Sequence, residues 1–118
     1  MFNFEKLEIY QDSLHLIKNI YMKSKDFPQT EQFSLVQQLK RAVTSVAINI
    51  AEGNGRSRVD NQNSLSFARG SLFETTAILQ ICVSLDFLGK EDYLPLYERC
   101  ELLAKRISSF MNSLKQPS

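Results

Sequence analysis

The chain has 118 residues and a mass of 13.6 kDa, which fits one domain and leaves too little sequence for a second hydrophobic core. Hydrophobic residues make up 43% and charged residues 23%, a composition that excludes disordered, collagen-like and mucin-like proteins. The net charge of +1 gives no field of the whole molecule that would attract nucleic acid or an acidic membrane, so any anion-binding site must be local.

The first predicted helix spans about residues 4 to 25 and is apolar along two lines. One line has spacings of three and four residues, and the other lies on a different side at about 100° per residue. Pro28 should end this helix, because a proline disfavours helical backbone angles at the preceding Phe27. The first line consists of Leu7, Tyr10, Leu14, Ile17 and Tyr21, and the second of Ile9, Leu16 and Ile20.

The second predicted helix spans about residues 30 to 53. Its core face repeats at helical spacing, and Thr44, Ile48 and Ala51 lie roughly opposite, where water would normally meet charge. Gly53 and Gly55 are candidates for a left-handed cap at its end. The predicted core face consists of Leu35, Leu39, Val43, Val46 and Ile50.

The third predicted helix spans about residues 58 to 88. Ser57 and Asp60 form a capping-box pattern at its start, and Gly70 could permit close approach of another backbone. One apolar stripe contains Leu65, Ala68, Leu72, Thr76, Leu79 and Val83, and a second, nearly opposite, contains Phe67, Ile78, Ile81 and Leu85. This two-sided pattern predicts more than one packing partner.

The fourth predicted helix follows Gly89 and spans about residues 90 to 114, with a loose first turn because Pro95 lacks a backbone donor. Its heptad stripe contains Tyr93, Tyr97, Cys100, Ala104, Ile107, Met111 and Leu114. Four such helices joined by short loops predict a single all-α domain over residues 1–118, an antiparallel up-down-up-down four-helix bundle. The surplus apolar stripes predict a homo-oligomer, the alternative being a monomer whose stripes are covered by loops.

A polar stripe follows the second helix into the next turn: Arg41, Ser45, Asn49, Glu52 and Arg56 lie on one face. One interpretation of this stripe is structural. In it, Glu52 pairs with Arg41 or Arg56 and Asn49 bridges helix ends, within a structural polar motif of Ser45, Asn49, Glu52 and Gly53.

A functional interpretation concerns the basic side chains of residues 40 to 70. Five basic groups face only two acidic ones there, Glu52 and Asp60, and four of the five are arginines, whose planar guanidinium contacts phosphate oxygens in pairs. The phosphate of RNA or DNA is therefore a plausible ligand, and oligomerisation would repeat the segment around a ring. The candidate nucleic-acid-binding residues are Lys40, Arg41, Arg56, Arg58 and Arg69.

Catalytic and metal-binding patterns are lacking in the sequence. His15 is the only histidine, and no GxSxG, HExxH or Walker-type phosphate loop occurs, so we expect neither enzymatic activity nor a cofactor. Cys82 and Cys100 lack metal-ligand spacing, so we predict core packing for both and no metal site. No membrane-spanning run or signal-peptide pattern is present, so we expect a cytoplasmic protein that does not enter a membrane.

The segment QLKRAVTSVAINIAEGNGRS, residues 38–57, resembles the 23S rRNA intervening-sequence proteins of bacteria, as does nearly the whole chain. That family shows an arginine pair, a Ser-Ile-Pro-x-Asn-Ile-Ala-Glu-Gly type of motif and then a basic residue. In this chain Lys40 precedes Arg41, where an arginine pair is common in the family. Ala47 stands where many members have proline, so the second helix should be straighter than usual. The matching positions are Ser45, Asn49, Ile50, Ala51, Glu52, Gly53 and Arg56.

The resemblance implies an antiparallel four-helix bundle that assembles into rings, often pentamers. It also implies a link to ribosomal RNA, and a related branch resembles a basic pentameric barrel that binds nucleic acid and a reverse transcriptase. We therefore expect a non-catalytic, oligomeric bundle that binds structured RNA, ribosomal in origin, or a ribonucleoprotein. The alternative is a ring-forming scaffold for a protein partner that binds no nucleic acid.

Overall fold

A computed structural model describes residues 1–115, which form four α-helices and no strand. The helices are α1 (Glu8–Ser24), α2 (Leu35–Asn54), α3 (Arg58–Ser84) and α4 (Lys90–Ser113). Short 3-10 helices, Asn3–Lys6 and Gln29–Glu31, precede α1 and α2. α1 packs against α2 and α4, and α3 packs against the same two helices, which gives a four-helix bundle of 49 × 24 × 20 Å. The predicted all-α four-helix fold is confirmed.

Ion pairs between α1 and α4 show the relative direction of these two helices. Arg106, near the end of α4, donates to Asp12 at 2.6 Å near the start of α1. Lys23, at the end of α1, donates to Asp92 at 2.9 Å at the start of α4. α1 and α4 are therefore antiparallel.

The contacts of α3 with α4 show the same arrangement. Arg69 reaches Ser108 at 3.1 Å, and Gln80 reaches the Tyr93 hydroxyl at 3.0 Å, so the residue number rises along one helix as it falls along the other. Successive helices of the bundle run in opposite directions, as short connections require.

The core is apolar and continuous between the four helices. On α2 the predicted face is buried at Leu39, Val43, Val46 and Ile50, each exposed by 1% or less. On α1 the second line of the prediction (Ile9, Leu16 and Ile20) is the buried one, whereas Leu14 and Tyr21 of the first line remain about two-fifths exposed. The first line therefore lies at the edge of the buried face of α1, and the second line faces the centre of the bundle.

Both cysteines lie in the core as free thiols. Burial raises the pKa of Cys82 to about 11, with a smaller contribution from the Glu31 carboxylate. Burial also raises the pKa of the Cys100 thiol. Their packing role matches the expectation from the sequence.

The starts of α1 and α2 differ from the predicted bounds. α1 begins at Glu8 rather than near residue 4, because Leu7 is extended (φ −73°, ψ 131°) and separates it from the 3-10 helix. α2 begins at Leu35 rather than near residue 30, because Ser34 (φ −128°, ψ −94°) interrupts the helical path. The Gln32 amide donates to the carbonyls of Ser24 and Phe27 and holds this connection against α1.

α3 starts as predicted and ends earlier than predicted. The Ser57 hydroxyl accepts from the Asp60 amide at 3.2 Å, so the predicted cap is confirmed. The helix ends at Ser84 rather than at residue 88, because Asp86 takes a left-handed conformation with φ of 64°. The Phe87 amide then bonds to the Cys82 carbonyl, which completes a Schellman motif with Asp86 in the position that glycine usually fills.

Replacement of Asp86 by glycine should stabilise the protein by about 1 kcal/mol, because glycine adopts positive φ without a Cβ penalty. The free energy of unfolding, measured with urea, checks this expectation. Asp86→Ala is the control. It keeps the Cβ but lacks the short polar side chain that lets aspartate adopt positive φ, so it should destabilise the protein. A loss of stability in Asp86→Gly would contradict the strain that we infer at this position.

The structure differs from several predictions made for the glycines and for Pro95. The left-handed cap at Gly53 or Gly55 is wrong, since no glycine has positive φ in the described residues; Gly53 is helical and Gly55 has φ of −89°. A Cβ on Gly70 would meet nothing within 4 Å, so the expected close approach there is not made within this chain. The sequence predicts a loose first turn in α4; in the structure the helix begins at Lys90 and continues through Pro95.

Candidate nucleic-acid interface

α2 and α3 approach each other closely at Gly53. A Cβ at that position would lie 2.5 Å from Cβ of Ser64 and 3.1 Å from the Asn61 side-chain oxygen. Asn61 is itself buried. Glycine is therefore required by the neighbouring helix rather than by its own backbone angles, and it holds the start of α3 tightly against the end of α2.

Ser45 and Asn49 form a small hydrogen-bonded cluster between the same two helices. The Asn49 side-chain amide donates to the carbonyl and the hydroxyl of Ser45, at 2.8 and 3.0 Å. The Ser71 hydroxyl of α3 donates to the Ser45 hydroxyl at 3.0 Å. These polar groups, which are half-buried, have protein partners and link α2 to α3 at mid-height.

Glu52 does not belong to that cluster. Its side chain is exposed, and no ion pair joins it to Arg41 or Arg56 in the described chain, so the predicted pairing of Glu52 with these arginines is wrong. It lines a cavity of about 390 Å³ between α1 and α2, together with Tyr10 and Ile48. The physical reason is that Arg41 lies 11 positions before Glu52, about 16 Å along α2, whereas Arg56 lies beyond the end of the helix at Asn54.

The five candidate basic residues fall into separate places. Arg56 and Arg58 are exposed at the turn between α2 and α3, two positions apart. Arg41 lies 13 positions before the end of α2 at Asn54, about 20 Å along the helix. The Lys40 ammonium lies 4.8 Å from the Tyr21 ring centre, against α1, and Arg69 donates to Ser108 on the α4 side. The structure therefore places Arg56 and Arg58 together and does not join all five in one patch.

Arg41 lines two neighbouring cavities between α2 and α3. One, of about 290 Å³, is lined also by Ser45, Ser71 and Glu74. The other, of about 540 Å³, extends to Phe33, whose side chain is 85% exposed. Sequence reasoning did not select Phe33; its only signal was an aromatic side chain just before α2 that belongs to no predicted apolar stripe.

The five candidate basic residues differ from Arg106 and Lys23, which make ion pairs within the bundle. Arg106 donates to Asp12 and pairs with Glu8 at 3.1 Å, and its hydrogen bond to the Asp12 carboxylate raises the pKa of Arg106. Lys23 is paired with Asp92. In residues 1–115 no ion pair is made by Lys40, Arg41, Arg56, Arg58 or Arg69.

The described part of the chain offers no group of three or more histidine, cysteine, aspartate or glutamate side chains suited to a metal ion. Within residues 1–115, no helix combines the length and apolar character needed to cross a membrane.

Comparisons with known proteins agree with this architecture. The family model described as 23S rRNA-intervening sequence protein matches residues 5–109. The crystal structure of a protein with unknown function from the S23 ribosomal protein family of Bacteroides thetaiotaomicron VPI-5482 is similar to this chain. The two superpose with a TM-score of 0.79 at 22% identity, and the match covers 88% of this chain and 95% of that one. Among curated proteins, none matches the chain. Because the family model matches most of this chain, the chain belongs to the 23S rRNA-intervening sequence protein family.

Proposed function

We propose that this protein is a non-catalytic, cytoplasmic bundle that self-assembles and binds structured RNA, ribosomal in origin, or a ribonucleoprotein. Arg56 and Arg58 at the turn between α2 and α3 are the central phosphate contacts. Lys40, Arg41 and Arg69 lie outside that turn and add to the positive surface in an assembled ring.

One observation carries this proposal: Arg41, Arg56 and Arg58 are exposed and make no ion pair in the described residues. Arg99 of α4 is also exposed and without an ion pair there, so the turn is distinguished by having two such arginines only two positions apart, Arg56 and Arg58. Guanidinium groups left to solvent on a nearly neutral protein are available to phosphate oxygens, which they contact with two parallel hydrogen bonds.

RNA binding should depend on salt and on the two arginines of the turn. We expect the wild-type protein to bind a labelled structured rRNA fragment with micromolar or tighter affinity at low salt, and log affinity to fall linearly with log salt. Arg56→Glu combined with Arg58→Glu should abolish binding, since two attractive contacts become repulsive. Fluorescence anisotropy across a salt series measures both quantities.

The matched control reverses two exposed basic residues of α4, Arg99→Glu with Lys105→Glu, and so changes the net charge equally. It should keep most of the affinity. If both double variants lose binding equally, the interaction follows net charge, and the assignment to the turn fails. If the assembled wild-type protein binds no RNA at low salt, the RNA proposal fails and the protein-scaffold alternative gains.

Self-assembly is supported by apolar side chains that the single chain leaves in water. On α3, Val59 and Phe67 are each 69% exposed, and Phe73 is 58% exposed; on α2, Ile48 is 54% exposed. A small soluble domain rarely exposes so many large apolar groups along adjoining helices unless a partner covers them. Ile48 lies on the side of α1 and Phe73 on the side of α4, so neighbouring copies in a ring, which we propose to be a pentamer by likeness to the family, would cover both sides.

Ile48→Glu should lower the native mass measured by light scattering, because it places a charge in the proposed contact between copies. Circular dichroism should stay helical, since Ile48 is not part of the core. Gln29→Glu, which adds the same charge at an exposed position before α2, is the control and should leave the mass unchanged. An unchanged mass for Ile48→Glu would exclude this face of α2 from assembly.

A further inference from the structure

The cavity of about 540 Å³ lies between the start of α2 and the last turns of α3, away from the turn that carries Arg56 and Arg58. Its volume falls in the range of sites that hold small ligands, about 300 to 1,000 Å³. The side chains that matter for its chemistry are Glu31, Phe33, Gln37, Gln38 and Arg41.

Phe33 presents a flat aromatic face to solvent at this cavity. With 85% of its surface exposed, it contributes little to the core, and no aromatic pair within residues 1–115 includes it. An exposed aromatic ring, here beside the cation Arg41, is the element on which proteins stack unpaired nucleic-acid bases.

The polar side chains around Phe33 have unused hydrogen-bonding capacity. Gln37 and Gln38 are exposed, and their side-chain amides make no hydrogen bond in the described chain. Arg41 is exposed and without an ion pair there. Glu31 accepts from the Ser34 hydroxyl at 3.0 Å and keeps further acceptor capacity.

We propose that this cavity binds one unpaired RNA nucleotide whose base carries an exocyclic amino group. The base stacks on Phe33, its phosphate meets Arg41, and its amino group donates to Glu31, while Gln37 and Gln38 bond to the remaining base edge. The inference rests on the proposed function, because it assigns a second contact to RNA that is held at the turn between α2 and α3.

A nucleotide fits this lining better than a protein partner does. Ile81 and Leu85, each about half exposed, line one wall and would also suit an apolar side chain. The opposite wall carries a guanidinium, two primary amides and a carboxylate, and these groups match a phosphate and a base edge. Uracil, which has no amino group, offers Glu31 only a ring N–H, so it should bind more weakly.

The chain contains no tryptophan, so Phe33→Trp introduces a single fluorophore that can itself stack on a base. We expect unpaired cytidine octamers to quench its emission at concentrations at least tenfold below those needed for Leu102→Trp, the control at an exposed position of α4. Uridine octamers should bind several-fold more weakly than cytidine octamers, and adding Glu31→Gln should remove that difference. Equal quenching of the two tryptophan variants, or no preference for cytidine, would overturn the proposal.

A second variant keeps this test apart from that of the proposed function. Phe33→Ala should lower affinity for cytidine octamers at least fivefold, while the salt slope for the structured rRNA fragment stays unchanged. If structured RNA binds and Phe33→Ala has no effect on the octamers, the cavity proposal fails and the proposed function stands. If Phe33→Ala changes the native mass and no RNA affinity, the cavity is a protein contact, which also overturns the proposal.

Discussion

Replacement of Gly53 by alanine is expected to destabilise the protein by about 2 kcal/mol, although alanine favours a helix by about 1 kcal/mol over glycine. The new Cβ would stand 2.5 Å from Cβ of Ser64, an atom fixed to the α3 backbone, so the two helices would have to move apart. Urea unfolding followed by circular dichroism measures the change.

Two further variants separate steric conflict from helix propensity. Gly70→Ala, where a Cβ meets nothing within 4 Å, should stabilise by about 1 kcal/mol. Ser64→Gly should recover part of the loss when combined with Gly53→Ala, because it removes the atom that the new methyl meets. If Gly53→Ala raised stability as Gly70→Ala does, the close approach of α2 and α3 would be excluded.

Ile50→Ala should cost about 2 to 5 kcal/mol, because the Ile50 side chain is fully buried in the core and its removal leaves a cavity. Ile48, two positions earlier on the same helix, is 54% exposed and provides the matched control. Ile48→Ala should cost about 0.5 kcal/mol or less in the single chain.

The comparison of the two isoleucines must be made at several protein concentrations. A loss in Ile48→Ala that grows with protein concentration would report a lost contact between copies, since assembly stabilises the folded state by mass action. A loss in Ile50→Ala should not depend on concentration. Equal losses at all concentrations would contradict the core assignment of α2.

The core of α2 could be predicted from the sequence because a helix advances by a fixed angle per residue. Leu39, Val43, Val46 and Ile50 share one side of α2, and that side is buried. The ends of the helices could not be predicted as well, since they depend on the backbone angles of single residues. The left-handed conformation of Asp86 ends α3, whereas the sequence pattern predicted that the helix would continue to just before Gly89.

The candidate site was predictable in its residue types and only partly in its geometry. Helical spacing places Arg41, Ser45 and Asn49 on one face of α2, but it carries no information about the helix that lies across from each residue. Lys40 therefore contacts α1 and Arg69 contacts α4, away from the turn. The role of Gly53 was missed for the same reason, because Ser64 belongs to another helix.

The ion pair between Asp12 and Arg106 joins residues 94 positions apart, whereas α2 and α3 are connected by a three-residue turn. Closing a long loop costs more chain entropy than closing a short one, and it must be completed before the contacts that it permits can form. We therefore expect the hairpin of α2 and α3 to form early in folding. The seam between α1 and α4 should be the last part of the bundle to close and the first to open.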